Sequence, residues 1–154
     1  MHIDIHCHMV PQPCLGIEAV GEDGRTCGIK TTQNPDGKLC TVVDTVLNCN
    51  GEPEQLWDVE RRLRDMDQAG VDIQVISPAP FLYFYALEAR RGLAFAQRID
   101  DEIVKVAASR PARFRAMATA PLRAVDLAVP ELERAAGEVG MQGRDGHPLG
   151  MIPC

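Results

Sequence analysis

The chain has 154 residues, a formal net charge of −6, 45% hydrophobic and 25% charged residues, enough for one domain with a core of its own. An acidic balance without a basic cluster argues against nucleic acid or an anionic membrane as partner. No apolar run approaches the roughly 20 residues of a membrane span, and the N-terminus lacks the basic and apolar regions of a secretory signal, so the expected location is the cytoplasm.

The first eight residues, Met1-His2-Ile3-Asp4-Ile5-His6-Cys7-His8, alternate strictly. Strand side chains point to opposite faces with period two. The pattern therefore predicts a strand with His2, Asp4, His6 and His8 on a polar face and Ile3, Ile5 and a buried Cys7 on an apolar one. His6 and His8 are about 6.6 Å apart along the strand, which lets two imidazoles tilt toward one cation at about 2.0–2.1 Å. A shared metal site for His6 and His8 would be contradicted by rings turned away from each other, or by Ile3 and Ile5 lying on the histidines' face. The pair by itself also fits a solvated strand edge or two capping histidines.

Pro11 and Pro13 make the next stretch loop, and residues 16–50 are rich in Gly, Asp, Asn and Thr. Asn34-Pro35-Asp36-Gly37 is a turn signal between two β-prone runs, 28–32 and 39–43, which predicts a small hairpin inserted after the first strand. Six cysteines (Cys7, Cys14, Cys27, Cys40, Cys49, Cys154) form no C-x-x-C pair, and reduced thiols are expected rather than a disulfide framework.

Pro53 is placed to open a helix, with Leu56, Val59, Leu63 and Met66 as its apolar stripe and Glu60, Arg61, Arg64 and Asp65 facing water. Gly70 is expected to cap it in the left-handed conformation, with Val71 folding back. A buried strand over 71–77 follows, stopped by Ser77-Pro78-Ala79-Pro80. Phe81, Tyr83, Phe84 and Tyr85 crowd the loop beyond it. They fit a pocket wall for a flat substrate, and equally a packed helix mouth.

A second helix is predicted over 87–109, buried through Phe95, Ile99, Ile103 and Val106 and ended by Pro111. A third strand over 114–119 and a third helix reaching Val139, capped at Gly140, complete the series. Pro130 either opens that helix or kinks it. Strands alternating with helices predict parallel strands joined by right-handed crossovers. Residues 144–154 carry two prolines and two glycines without alternation, and are read as an anomalous tail after a domain spanning 1–143.

Several stretches together resemble the amidohydrolase superfamily, in its branch of aminocarboxymuconate-semialdehyde decarboxylase-like proteins. Ile3-Asp4-Ile5-His6-Cys7-His8 with Pro11 is similar to the family's opening I-D-x-H-x-H-x-x-P. Arg64-Asp65-Met66-Asp67-Gln68-Ala69-Gly70-Val71-Asp72 resembles its M-D-x-x-G-V segment. Pro111-Ala112-Arg113-Phe114 with Ala120-Pro121-Leu122 resembles P-x-R-F…P-L, and Glu131-Leu132-Glu133-Arg134 with Gly140-Met141-Gln142-Gly143 resembles E-x-E-R…L-G-x-x-G. The series covers most of residues 1–143, and its order is far more specific than any one motif.

The resemblance implies an α/β fold, a TIM (β/α)₈ barrel with its active site at the C-terminal strand ends. This chain would hold the first three β/α units, an incomplete barrel, with the hairpin inserted after strand 1. It makes His6 and His8 ligands of a divalent metal, usually zinc, completed in relatives by a His from the fifth strand and an Asp from the eighth, with a further His as general acid/base. The metal lowers the pKa of its water toward neutrality for use on an unsaturated acid that loses carbon dioxide. Asp4, by parity on the histidines' face, is expected to support a histidine from behind or to make a structural hydrogen bond at the barrel floor. Ser77, Phe81 and Tyr83 are weaker pocket candidates.

Three positions depart from the family pattern. Thr41 stands where close relatives carry an arginine that grips a substrate carboxylate, so bidentate recognition there is lost. Asp100 stands where relatives commonly have Asn, and Pro130 is unusual in its helix. His147 in the tail has no rigid scaffold around it and is expected to be solvated.

The expected function is a metal-dependent decarboxylase for an unsaturated or aromatic carboxylic acid, in a truncated form inactive alone. A hydrolase of the same superfamily and a non-catalytic remnant or interaction module are the alternatives. Open strand edges would favour self-association.

Overall fold

The computed structural model describes residues 1–33, 35, 39–43, 46–48 and 53–137. In chain order these form β1 (Ile3–Met9), β2 (Glu18–Val20), β3 (Thr26–Gly28), β4 (Lys30–Gln33), β5 (Leu39–Val43), β6 (Val46–Asn48), α1 (Val59–Ala69), β7 (Ile73–Pro78), α2 (Ala89–Ser109), β8 (Phe114–Ala116) and α3 (Val125–Gly137). The central sheet has the order β1-β7-β8 and is parallel throughout. Among the described residues β1 and β8 each have one sheet neighbour.

The helix boundaries follow local chemistry. Pro53 opens a 3₁₀ turn, Pro53–Leu56, and not α1. The α-helix starts at Asp58, whose carboxylate accepts the Arg61 N–H at 2.9 Å and so satisfies one of the free amides of the first turn. Gly70 ends α1 at φ 68°, and Val71 N–H returns to the Met66 carbonyl at 2.9 Å. Glu88 caps α2 by accepting from the Arg90 and Arg91 amides. Pro130 lies inside α3, six residues in, which answers whether it opens the helix. Val139, Gly140 and the whole of 144–154, His147 included, lie outside the described residues, as does most of the Asn34–Gly37 turn.

Between β1 and α1 the chain forms two small antiparallel sheets, β2-β3 and β4-β5-β6. Thr41 of β5 pairs with Thr31 and Asn48. The β2-β3 ribbon is clamped by close backbone approach. Gly28 has φ 112°, and a Cβ there would lie 1.9 Å from the Ile17 carbonyl oxygen.

The core lies between the sheet and the helices. Ile76 and Phe114 from the strands meet Met66 of α1 and Ile99 and Ile103 of α2, with Ile17 and Ile29 of the insertion closing one end. Phe95 and Val106, expected on the buried side of α2, are only partly buried against this cluster. The other sheet face is open. Ile3 is 47% and Ile5 65% exposed.

Here the structure corrects the strict alternation of β1. Asp4 pairs with Gln74 but Cys7 pairs with Ile76, so three residues of β1 advance against two of β7. A β-bulge occupies Ile5 and His6. Because residues in register share a face, Asp4 and Cys7 lie with Gln74 and Ile76 toward α1. Ile3 and His8 lie with Ile73 and Ser77 on the opposite, open side. Asp4 therefore does not share a face with His8, and Ile3 does. His2 lies outside the strand, with its amide on Asp72 (2.6 Å) and its Nδ1 on the Gly70 carbonyl (3.0 Å).

Candidate metal centre

His6 and His8 converge. Their Nε2 atoms are 3.0 Å apart and the rings meet edge to face, with centroids at 4.7 Å and an interplanar angle of 85°. At the shift in register between Asp4 and Cys7, the carboxylate of Asp4 accepts the His6 backbone N–H at 3.2 Å and holds the irregular turn. Asp4 thus supports His6 through its main chain and not through the imidazole.

His8 is fixed from three sides. Its Nδ1 lies 3.2 Å from the Pro78 carbonyl and 3.3 Å from Ser77 Oγ. A carbonyl only accepts, so in the neutral ring the proton sits on Nδ1 and the lone pair on Nε2, aimed at His6. Burial holds the His8 imidazole below its ordinary pKa, against the opposing Pro78 carbonyl, and His6 adds to the lowering. A neutral ring is the form that ligates metal. The third support is Arg62, whose Nη2 donates to the His8 and Gln55 carbonyls, both at 2.8 Å, while Nη1 reaches Gln74 Oε1 at 3.1 Å. Nothing in the sequence distinguishes Arg62 from Arg61 and Arg64 beside it. Only the packing of α1 on β1 turns it inward.

The pair fits a divalent ion. Two nitrogens 3.0 Å apart, each about 2.05 Å from a shared ion, would subtend about 95° there, inside the range of four- to six-coordinate sites. They make part of a ligand set. Among the described residues no group of three or more His, Cys, Asp or Glu side chains could hold a metal. A cavity of about 700 Å³ lies on the other side of β1, lined by Asp4, Gln55, Arg62, Asp65, Met66 and Gln74 among others. Asp4 faces that cavity. Its carboxyl is held below the ordinary range by the Cys7 thiol and by the His6 amide, against burial. Burial in turn pushes the Cys7 thiol up to about 12.

Of the remaining candidates, Ser77 is brought to His8 directly. Phe81 packs partly against the core, and the Tyr83 ring lies tilted beside that of Tyr85, with centroids at 5.4 Å. Asp100, which in the sequence stands out only by its departure from the family pattern, is completely buried and accepts the Thr119 N–H with both carboxylate oxygens at 3.0 and 3.1 Å. No helix among the described residues is long and apolar enough to cross a membrane.

The amidohydrolase family model matches residues 3–149. The 2-amino-3-carboxymuconate-6-semialdehyde decarboxylase of Dictyostelium discoideum is 29% identical over 149 residues, which cover 93% of this chain and 39% of that protein. The crystal structure of a 2,6-dihydroxybenzoate decarboxylase from Rhizobium superposes with a TM-score of 0.53 at 31% identity, over 56% of this chain and 27% of that one. A dihydroxybenzoic acid decarboxylase from Polaromonas sp. JS666, solved with manganese and 2-nitroresorcinol, shares the fold over 92% of this chain and 37% of its own, with a TM-score of 0.64 at 24% identity. The chain thus spans about two fifths, or less, of these relatives' lengths. With the family's motifs in order and its opening histidine pair converging at the sheet's C-terminal end, this chain belongs to the amidohydrolase family.

Proposed function

We propose that this chain supplies two metal ligands, His6 and His8, to a divalent-metal-dependent decarboxylase that acts on an aromatic or unsaturated carboxylic acid. The observation that carries the reading is the 3.0 Å approach of the two Nε2 atoms, with His8 Nδ1 committed to the Pro78 carbonyl. A bound metal would supply Lewis-acid and water-activating chemistry. The chain's own part is positional. Ser77 and Pro78 fix the His8 ring, Arg62 fixes its carbonyl, and Asp4 fixes the His6 backbone. With Nδ1 held by a carbonyl, His8 acts as a ligand and not as a proton carrier. Further ligands and the general acid/base come from residues other than those described. Decarboxylation is favoured over hydrolysis because the relatives named above are decarboxylases, two of them for dihydroxybenzoates.

The test has two arms. Zinc and manganese are titrated separately into the chelator-treated chain and into His6→Ala and His8→Ala. We expect one ion per chain, weakened about tenfold or more by either substitution. Affinity unchanged in both variants would overturn the ligand assignment. In the second arm the metal-supplemented gene product that carries this sequence is assayed for carbon dioxide release from 2,6-dihydroxybenzoate and for acid release from a lactone. Acid release alone would replace the decarboxylase reading with the hydrolase one.

A further inference from the structure

The loop between β7 and α2 divides its side chains in two. Leu82, Phe84 and Leu87 are buried in the core. Phe81, Tyr83 and Tyr85 remain half-buried. Leu82, Phe84 and Leu87 close the helix mouth, while Tyr83 and Tyr85 keep part of their ring surface at solvent. This separation comes at a backbone cost. Phe84 has φ 53°, a left-handed conformation that bulky side chains rarely adopt and that persists only when its surroundings enforce it. The enforcing contact is a stack on Phe95, with centroids at 4.4 Å and planes 21° apart. With Phe84 pinned inward, its two neighbours turn toward each other, and the Tyr83 and Tyr85 rings lie 5.4 Å apart at 34°.

Other contacts hold the pair from outside the loop. Arg123 Nη1 donates to the Tyr85 carbonyl at 2.9 Å, and the Glu22 amide donates to the Ala86 carbonyl at 2.8 Å. Burial pushes the Tyr85 hydroxyl up, and the neighbouring Thr119 side chain opposes that. Thr119 is itself fixed through its N–H by the buried Asp100 of α2. Asp100, Thr119 and Tyr85 thus link α2, the segment leaving β8 and the segment leaving β7. Both segments emerge at the strand ends where Ser77 and Pro78 hold His8. Rings held this way lose little entropy when they contact a flat ligand.

From this geometry we propose that Tyr83 and Tyr85 form the contact for the flat ring of an aromatic acid, and that Asp100, acting through Thr119, is the positioning residue that sets Tyr85. The proposal rests on the decarboxylase reading for its ligand class, but its test needs no metal and no turnover. Tyr83 and Tyr85 are the only tyrosines in the chain, so every ring signal of a tyrosine-labelled sample reports the pair.

The metal-free, chelator-treated chain is labelled in its tyrosine rings and titrated by NMR with 2,6-dihydroxybenzoate, then with cyclohexanecarboxylate. We expect saturable shifts of both ring systems with the aromatic acid and about tenfold weaker binding of the saturated one. Tyr83→Ala weakens aromatic binding about tenfold, Asp100→Ala displaces the Tyr85 resonances and weakens it comparably, and Asp100→Asn, which still accepts the Thr119 N–H, restores it to within about twofold. Should Asp100→Ala fail to fold, Thr119→Val removes the hydroxyl alone and is expected to shift Tyr85 in the same way. Absence of saturable shifts in the folded wild type, equal binding of the two acids, or wild-type affinity in Tyr83→Ala overturns the contact. Unmoved Tyr85 resonances in both the Asp100 and Thr119 variants overturn the positioning role. Loss of metal binding in the histidine variants bears only on the decarboxylase reading.

Discussion

Replacing Asp100 by Asn removes an ionisable carboxyl from the driest polar position among the described residues, and its effect on stability is expected to depend on pH in a calculable way. Asp100 is fully buried. Burial drives its carboxyl from 3.8 up to about 8, the Thr119 amide opposes that, and Glu131 adds to the rise. The groups facing it are the Thr119 N–H, Glu131 and Arg134 of α3, and Asp101 on its own helix. The folded state therefore binds this proton more tightly than the unfolded chain does. Stability is complete below the unfolded value near pH 4 and is lost progressively as pH rises toward about 8. Roughly four pH units at about 1.4 kcal/mol each set a ceiling of about 6 kcal/mol. Relaxation and water entry reduce the effective cost of a buried ion, so about 3 kcal/mol is the expected loss.

Asn has the same shape, accepts the Thr119 N–H through its carbonyl oxygen and does not ionise. Urea unfolding of both chains from pH 4.5 to 9 gives a difference free of the other titrating groups. We expect near equality at pH 4.5 and an advantage for Asp100→Asn that grows to about 3 kcal/mol by pH 8.5. A difference that stays flat within about 0.5 kcal/mol across the range would refute a buried, proton-holding carboxyl.

Two further substitutions probe the supports of the site. Arg62→Lys keeps the charge but loses the planar fork that reaches His8, Gln55 and Gln74 together; a loss of about 1–3 kcal/mol in urea unfolding is expected, with weaker metal binding, and an unchanged affinity would show that the His8 carbonyl needs no such anchor. Gly28→Ala places a methyl 1.9 Å from the Ile17 carbonyl at φ 112°, so about 2 kcal/mol or more is expected to be lost, read as early hydrogen exchange of the β2-β3 amides.

The order of strands and helices was readable because each long element carries its own period and its own stop. Gly70, with a left-handed φ, and Pro111, just past the end of α2, are chemical punctuation that tertiary structure does not override. The start of α1 was misplaced because Pro53 and Asp58 are both valid openers, and only packing assigns the first to a 3₁₀ turn. Strands of three residues, such as β2, β3 and β6, are too short to show a period at all.

The sequence pointed to a converging histidine pair, and the rings of His6 and His8 do converge, but on a strand whose faces differ from those its alternation implies. Perfect alternation in the sequence concealed the extra residue in the ladder, since no Gly or Pro marks it. Arg62 and Asp100 could not be seen as supports, because burial of a charged side chain depends on which neighbours close over it.

The bulge in β1 gives the strand two phases, one upstream of Ile5 and another downstream of His6. A transplant of this histidine pair onto the first strand of another scaffold would have to carry the additional residue with it. Without that half-step, a flat ribbon of identical composition would carry Asp4 to the histidines' face and away from Gln74 and the cavity on the α1 side. The spacing of the two histidines is thus only half of the motif, and the irregularity between Asp4 and Cys7 is the other half.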